Sequence, residues 1–356
     1  MKRMKLYEQL TNLNGVSGHE RSVRKFVKKE LEDIGVNNIV LDKLGSIFGV
    51  SGNKGPTIMI AGHMDEVGAM VTKITDKGFI KMMAIGGVSP EVFLSQNMQI
   101  IINESKTVKG IIGAVPPHIS RGSDEGNKSL RFDDLLLDVG ADSKDKAIEM
   151  GIAVGQQIVP VNHYYVMEDG NKIVSKAWDN RFGVGMALEV LREIHGTDHP
   201  NTVIAGATVQ EEVGLRGAQT ASQMMEPDLF IAVDVSPVGD FLDDNHPRAF
   251  GKLGDGFLVR FYDPRCIMHN GIRQYFETLS KEKGIKCQNF LSMGGTDAAA
   301  AQYSSGVATT VGLPGRYIHT TGAIIDVRDV EEVKKMLIAI IENFDQAALE
   351  AVKKNV

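Results

Sequence analysis

A chain of 356 residues, 43% hydrophobic and 24% charged, is too long for one small core and reads as a globular protein of about two domains. Its formal net charge of −6, with no basic run able to follow a phosphate backbone, argues against a nonspecific binder of nucleic acid or anionic lipid. Cys266 and Cys287, the only cysteines in the sequence, form no CxxC pair, which excludes a thiolate zinc site and fits a reducing, cytoplasmic compartment.

The start, Met1-Lys2-Arg3-Met4-Lys5-Leu6, is basic, but no apolar stretch follows it, so no secretory signal is expected. Apolar runs along the chain are strand-length, and no transmembrane helix is predicted. Leu6, Leu10 and Leu13 recur at helical spacing. Ser17-Gly18-His19-Glu20 then reads as a break and cap before Val23, Phe26, Val27 and Leu31, so residues 4–34 are predicted as helices. Short strands follow at 39–41 and 47–50, and the continuous apolar run 57–61 suits a strand buried on both faces. Segments 70–75, 78–84, 98–103, 107–113 and 157–161 are β-rich, punctuated by Gly, Pro and Asn, and without long helices between them. They predict a small β domain over 69–163, inserted into an α/β domain formed by 1–68 and 164–356. The α/β rhythm then returns. Strands are expected at 172–175, 202–210, 229–233, 256–261 and 307–311, helices at 181–195, 215–224, 270–283 and 298–304, and one long C-terminal helix at 329–352.

The chemistry lies where the apolar strands stop. His63-Met64-Asp65, Glu211-Glu212, Asp234 and His319 each follow such a strand, and the carboxyl ends of strands in an open α/β sheet form its ligand crevice. Singly, each has a plainer reading: a hydrogen-bonded histidine, a solvated acidic loop, a helix cap. Together they are an N/O donor set suited to catalytic Zn2+, Co2+ or Mn2+. Adjacent glutamates leaving a strand point in different directions, so one can hold metal while the other serves as general base. His118 reads as structural, and His163, His195, His199, His246 and His269 mostly as surface residues. Gly86-Gly87 and Gly294-Gly295 match neither a P-loop nor a dinucleotide fingerprint.

Longer motifs surround these residues: Ala61-Gly62-His63-Met64-Asp65-Glu66-Val67-Gly68, Lys176-Ala177-Trp178-Asp179-Asn180-Arg181, Val209-Gln210-Glu211-Glu212-Val213-Gly214-Leu215-Arg216-Gly217-Ala218, Ala232-Val233-Asp234, Gly294-Gly295-Thr296-Asp297-Ala298 and Arg316-Tyr317-Ile318-His319. In these motifs, and in their order along nearly the whole chain, the sequence resembles the M42 metallo-aminopeptidases, also called tetrahedral (TET) aminopeptidases. The resemblance implies a mixed-sheet α/β/α zinc-peptidase domain carrying an inserted, β-barrel-like dimerisation domain. It implies two divalent metal ions, Zn2+ or Co2+ with Mn2+ as a further candidate. His63 and Asp234 would hold one ion, Glu212 and His319 the other, and Asp179 both. Asp65 would hydrogen-bond and orient the His63 ring, Glu211 would act as general base and acid, and Asp297 would organise its loop. A cis bond between Asp179 and Asn180 is also implied.

Within the family, Lys252-Leu253-Gly254-Asp255-Gly256, continuing to Arg260-Phe261-Tyr262-Asp263-Pro264, looks most like the glutamyl aminopeptidase branch. The implied activity is release of N-terminal Glu or Asp from peptides, with Arg260 as one candidate cation for the acidic side chain and an exposed strand arginine as its plainer reading. A leucyl or broad-specificity aminopeptidase is the alternative within the class. An endoglucanase-type glycosidase and a non-enzymatic shell are the alternatives outside it. The expected assembly is a homododecamer of dimers, with 88–94 and 110–117 of the β domain offering apolar surface to neighbouring subunits.

Overall fold

The protein is seen as a computed structural model, which describes residues 4–116, 118, 129–243, 246–247 and 250–355. Helices Met4–Asn12 and Arg21–Ile34 open the chain. The second stops at Gly35, whose left-handed φ of 91° suits a residue without a Cβ.

The central sheet has eight strands, in spatial order Ile39–Leu41, Ile47–Ser51, Thr202–Thr208, Thr57–His63, Leu229–Pro237, Ala308–Gly315, Phe257–Tyr262 and Cys287–Leu291. The strands starting at Thr202, Thr57, Leu229 and Ala308 are mutually parallel. Ile47–Ser51 and Phe257–Tyr262 flank them antiparallel, so the sheet is mixed. Parallel strands place their carboxyl ends along one edge, and every strand-end motif therefore converges there.

Alternation along the pleat divides the apolar residues between two faces. Ile58, Ile60, Ile231 and Val233 enter a large core with helix Trp178–Ile194, the N-terminal helices and Val327–Asn343. Met59, Ala61, Phe230 and Ala232 face the alanine-rich helices Arg216–Met225 and Asp297–Ser305. Small residues allow close layering on the first face. A Cβ on Gly62 would lie 2.3 Å from the Gly183 carbonyl carbon, so the backbones of strand and helix nearly touch beside His63.

Strands Gly68–Ile74, Ile80–Ile85, Leu137–Asp138, Lys106–Ile112, Asn97–Asn103 and Gln157–Pro160 close into an antiparallel barrel. Its core includes Val71, Ile80, Met82, Met98, Ile100, Ile112, Leu137 and Ile158. A helix not anticipated from sequence, Lys144–Glu149, is capped by Ser143, whose side chain accepts from the Lys146 N–H. A small antiparallel sheet, Tyr165–Val166, Lys172–Ser175 and Ala323–Asp326, runs from the end of the barrel segment toward helix Trp178–Ile194.

Three expectations change. The C-terminal helix is two helices, Val327–Asn343 and Gln346–Lys354. Asp345 caps the second by accepting from Ala348 N–H at 2.8 Å, while Asn201 Nδ2 holds the carbonyls of Ile341 and Phe344 at 2.7 and 2.9 Å. Asp234 lies inside strand Leu229–Pro237 rather than after a shorter strand. Residues 88–94 do not present their apolar side chains outward: Phe93 is fully buried, and Val88, Val92 and Leu94 pack on the barrel's own core. Ile111 and Val115, from the other expected segment, are exposed, while residue 117 lies outside the described residues. Among the described residues, no helix is long and apolar enough to cross a membrane.

Candidate metal centre

His63 ends its strand with the ring almost wholly buried. Its Nδ1 donates to the Asp65 main-chain carbonyl at 3.0 Å, and the Asp65 carboxylate lies 3.4 Å away. A carbonyl can only accept, so Nδ1 carries a proton and Nε2 turns to the cleft. There Nε2 lies 3.1 Å from Asp179, 3.8 Å from Glu211 and 4.0 Å from Asp234.

Asp179 opens helix Trp178–Ile194 through a non-helical turn, and its bond to Asn180 is cis. Asn180 fixes that turn: its Nδ2 donates to the Val233 carbonyl at 2.7 Å, and its Oδ1 accepts from the Gly183 N–H at 2.9 Å. The Asp179 carboxylate spans two imidazoles, with Oδ1 3.1 Å from His63 and Oδ2 3.3 Å from His319. His319 Nε2 also lies 3.4 Å from Glu212, and its Nδ1 donates across to the Gly87 carbonyl at 2.7 Å. Gly87 follows a barrel strand, so both modules touch the cluster.

The glutamates diverge as expected, with Glu211 toward His63 and Glu212 toward His319. The cause is not the pleat. The strand stops at Thr208, Gln210 adopts a φ of 54°, and both glutamates sit in a turn. Asp65 holds that turn: its carboxylate accepts the Glu211 and Glu212 N–H groups, each at 3.1 Å, and the Ser17 hydroxyl at 2.6 Å. Glu20 accepts from Gln210 N–H at 3.1 Å. Ser17 and Glu20 read from sequence only as parts of a cap. In the fold Glu20 makes no side-chain cap to its helix, and nothing local signals its distant partner.

Two groups of side chains bring their ligand atoms within 4.8 Å of one another: His63 with Glu211 and Asp234, and His63 with Asp179 and Glu212. Burial raises the Glu211 carboxyl well above its ordinary range, Glu212 to about 8 and Asp234 to about 7, with neighbouring carboxylates adding to each. For His63 and His319 burial alone lowers the pKa. The carboxylates around them outweigh it, raising His63 well above normal and His319 to about 10. Asp179 is likewise penalised by burial, yet its two histidines hold it below the usual carboxylate range. Asp297, buried at the head of its helix and bonded by the Thr208 hydroxyl at 2.5 Å, is pushed up to about 6 by burial. It belongs to neither metal group. Carboxylates thus outnumber imidazoles, no sulfur takes part, and buried Glu212 Oε1 makes no hydrogen bond, with only His319 Nε2 beside it at 3.4 Å. This donor set fits divalent cations.

A second buried ionic cluster, with two cations around one carboxylate, lies just beyond. Lys176 Nζ reaches both Glu66 oxygens at 2.8 and 2.7 Å, and Arg181 lies 3.3 Å from the same carboxylate. Arg181 also donates to the carbonyls of Met64, Leu10 and Leu13, at 2.7, 2.8 and 2.8 Å. Lys176, Glu66 and Arg181 all lie within the motifs read from sequence, but no role was assigned to them.

A cleft of ≈ 850 Å³ runs from the cluster past Arg260, Arg265, Met293 and Ile318. Arg260 is not an exposed strand arginine. It is 5% exposed and donates to Ser292 Oγ at 2.7 Å and to the Gly294 carbonyl. Among the other histidines, His118 is exposed in the barrel segment, His269 caps helix Asn270–Lys283, and His199 is buried against Asn201 rather than on the surface.

A family profile described as M42 glutamyl aminopeptidase matches residues 45–336. The glutamyl aminopeptidase of Lactococcus lactis is 36% identical over 98% of this chain and 99% of its own. A TET aminopeptidase from a marine sediment thaumarchaeote superposes with a TM-score of 0.92 at 34% identity, covering 99% of this chain and 100% of the other. The TET1 peptidase of Pyrococcus horikoshii, which can assemble into a tetrahedron or a large octahedral shell, has a TM-score of 0.87 at 28% identity, covering 96% and 99% of the two chains.

Proposed function

The chain belongs to the M42 peptidase family, and from that premise we propose that it is an aminopeptidase working with two divalent ions, Zn2+ or Co2+ with Mn2+ as a further candidate, on peptides that begin with Glu or Asp. The observation that carries this is the surplus of buried carboxylates converging on two imidazoles at the sheet's carboxyl edge. His63 and Asp234 are proposed to hold one ion and Glu212 and His319 the other. The reach of Asp179 from one imidazole to the other supports its role as the shared ligand. When bound, the ions supply Lewis acidity that activates water and stabilises negative charge on the peptide carbonyl oxygen.

The remaining work falls to side chains. Glu211, largely buried on the cleft side of His63, is proposed to take a proton from the attacking water and return it to the leaving amine. Burial raises its proton affinity, His63 opposes that rise and the carboxylates of Glu212, Asp234 and Asp297 add to it, which suits a carboxyl that must take up a proton. Asp65 keeps Glu211 and Glu212 in place through their main-chain N–H groups and fixes the His63 ring through its own carbonyl. The carboxylate-rich end of the cleft suits a free α-ammonium, which favours attack at the first peptide bond. Glycosidases need two carboxylates and no such imidazole pair, so the endoglucanase reading is the weaker one. A non-enzymatic shell would not need Glu211 beside a complete donor set.

Residues 69–163 are proposed as an oligomerisation domain that builds dimers and then a dodecamer with the sites facing an inner chamber. Exposed Ile111, Val115, Ile148 and Val154 on this segment support that use. The free thiols of Cys266 and Cys287 fit a cytoplasmic setting. The experiment is a panel of aminoacyl chromogenic substrates, assayed after chelation and after return of Zn2+, Co2+ or Mn2+. Fastest release of Glu and Asp, lost on chelation and restored by metal, is expected; chelation without effect sinks the proposal, and fastest release of Leu replaces the acidic preference. Light scattering checks assembly: a fully active monomer of 38.8 kDa rejects the shell.

A further inference from the structure

We propose that Arg265, rather than Arg260, is the residue that selects an acidic first side chain; this rests on the aminopeptidase reading above and deepens it. Both arginines line the cleft, but their surroundings differ. Arg260 is buried and its terminal nitrogens are engaged: they donate to Ser292 Oγ at 2.7 Å and to the Gly294 carbonyl and reach Ser236 Oγ at 3.4 Å, while its Nε lies 3.4 Å from the Asp263 carboxylate without a hydrogen bond. A substrate carboxylate would have to displace those partners, and Asp263 already offsets the charge. Arg265 is exposed to the cleft, and among the described residues its guanidinium has no hydrogen-bond or ion-pair partner.

Its free head sits on a fixed stem. Asp263 Oδ1 accepts the Arg265 and Cys266 N–H groups, each at 2.8 Å, and Gln302 Nε2 donates to the Arg265 carbonyl at 2.7 Å. A Cβ on Gly295 would come within 3.2 Å of Arg265 Cδ, so the glycine leaves the stem its path. Arg260 therefore acts as a positioning residue: it steadies Asp263, which steadies the loop carrying Arg265. Elsewhere the cleft is lined by Glu211, Glu212, Asp179 and Asp234, which repel an acidic side chain, and its histidines face those carboxylates. A guanidinium without a protein partner supplies the paired, charge-assisted recognition that a Glu or Asp side chain needs on losing water.

The test is kcat/KM of the metal-loaded full chain on Glu- and Gln-4-nitroanilide, which differ in charge and hardly in shape. A charge-assisted hydrogen bond implies a fall of ~10- to 100-fold in the Glu/Gln ratio for Arg265→Gln. Arg265→Lys should restore part of the ratio, and Arg265→Glu should shift preference toward Lys-4-nitroanilide. A wild-type ratio well above one that Arg265→Gln retains overturns this assignment while leaving the acidic preference standing, as does loss of the ratio in a folded Arg260→Lys variant but not in Arg265→Gln. A wild-type ratio near one removes the acidic preference and the assignment together. Free and amidated Glu-Ala separate the other source of a carboxylate: if Arg265→Gln alters that ratio instead, the residue reads the peptide's C-terminus and the side-chain assignment falls.

Discussion

Residues 176–181 stand between two buried ionic clusters of opposite logic. On one side Lys176 and Arg181 enclose Glu66, and main-chain carbonyls take up the remaining Arg181 donors. On the other, Asp179 joins Glu211, Glu212 and Asp234 around two histidines, and a buried Glu212 oxygen has no hydrogen-bond partner. The first cluster is complete within the protein. The second holds more carboxylates than imidazoles, and on the proposed function a bound divalent ion would complete it. Burial alone therefore does not distinguish a structural ionic group from a functional one; the distinction lies in whether like charges are kept apart and bonded within the protein or crowded together.

The contrast is sharpest if removing a carboxylate has opposite consequences on the two sides. Glu211→Gln is expected to lower kcat by ~10²- to 10⁴-fold, the scale of a lost general acid–base. Metal analysis should show both ions retained, and the metal-free variant should melt no lower than the parent. Asp179→Ala should instead lose both ions together; one ion kept at full occupancy contradicts a shared ligand. On the Glu66 side, Glu66→Gln leaves two buried cations facing a neutral amide and should cost about 3–5 kcal/mol in denaturant unfolding. An unchanged midpoint there removes the distinction.

A subtler probe is the pH dependence of the metal-free protein. Asp234 is raised to about 7 and Glu212 to about 8 in the fold. A raised pKa means the folded state binds the proton more tightly, so the associated stability is complete below the unfolded carboxylate range and is lost as pH rises through 7–8. His319, raised to about 10, extends the loss to still higher pH. Melting temperature should therefore fall across that window after chelation, and a divalent ion should flatten the decline; a flat metal-free profile contradicts the imbalance. The smallest effect is expected at Ser17→Ala, which removes one donor to Asp65 and should cost about 1 kcal/mol, with a modest fall in kcat and no loss of metal.

The sheet was legible because its strands carry continuous or alternating apolar runs that end at titratable residues, as Thr57–His63 does. The supports around the site were not. Ser17 meets Asp65, Glu20 meets Gln210 and Gly87 meets His319 across 48, 190 and 232 positions, and no local period encodes such pairs. Glu211-Glu212 was read with the right divergence for the wrong reason, since the turn rather than the strand separates the side chains. The break at Phe344-Asp345 was hidden because apolar spacing continues through it: Phe344, Leu349 and Val352 enter the same core as Val333 and Leu337. Arg260 was noticed for its charge, but only the fold reveals that it is buried with its terminal nitrogens bonded to Ser292 and Gly294.

On the proposed role of His319 as a ligand, the hydrogen bond from its Nδ1 to the Gly87 carbonyl would make the barrel segment a participant in metal affinity. Gly87 sits on a connection between barrel strands, whereas the candidate ligands themselves belong to the central sheet and the helix, turn and loop that adjoin it. If a neighbouring subunit shifts the barrel, it turns the His319 ring, and an ion that needs that ring oriented resists the shift. Reciprocity then requires metal to strengthen subunit association by the same factor that association strengthens metal binding. Ion occupancy and quaternary structure would be two readings of a single equilibrium.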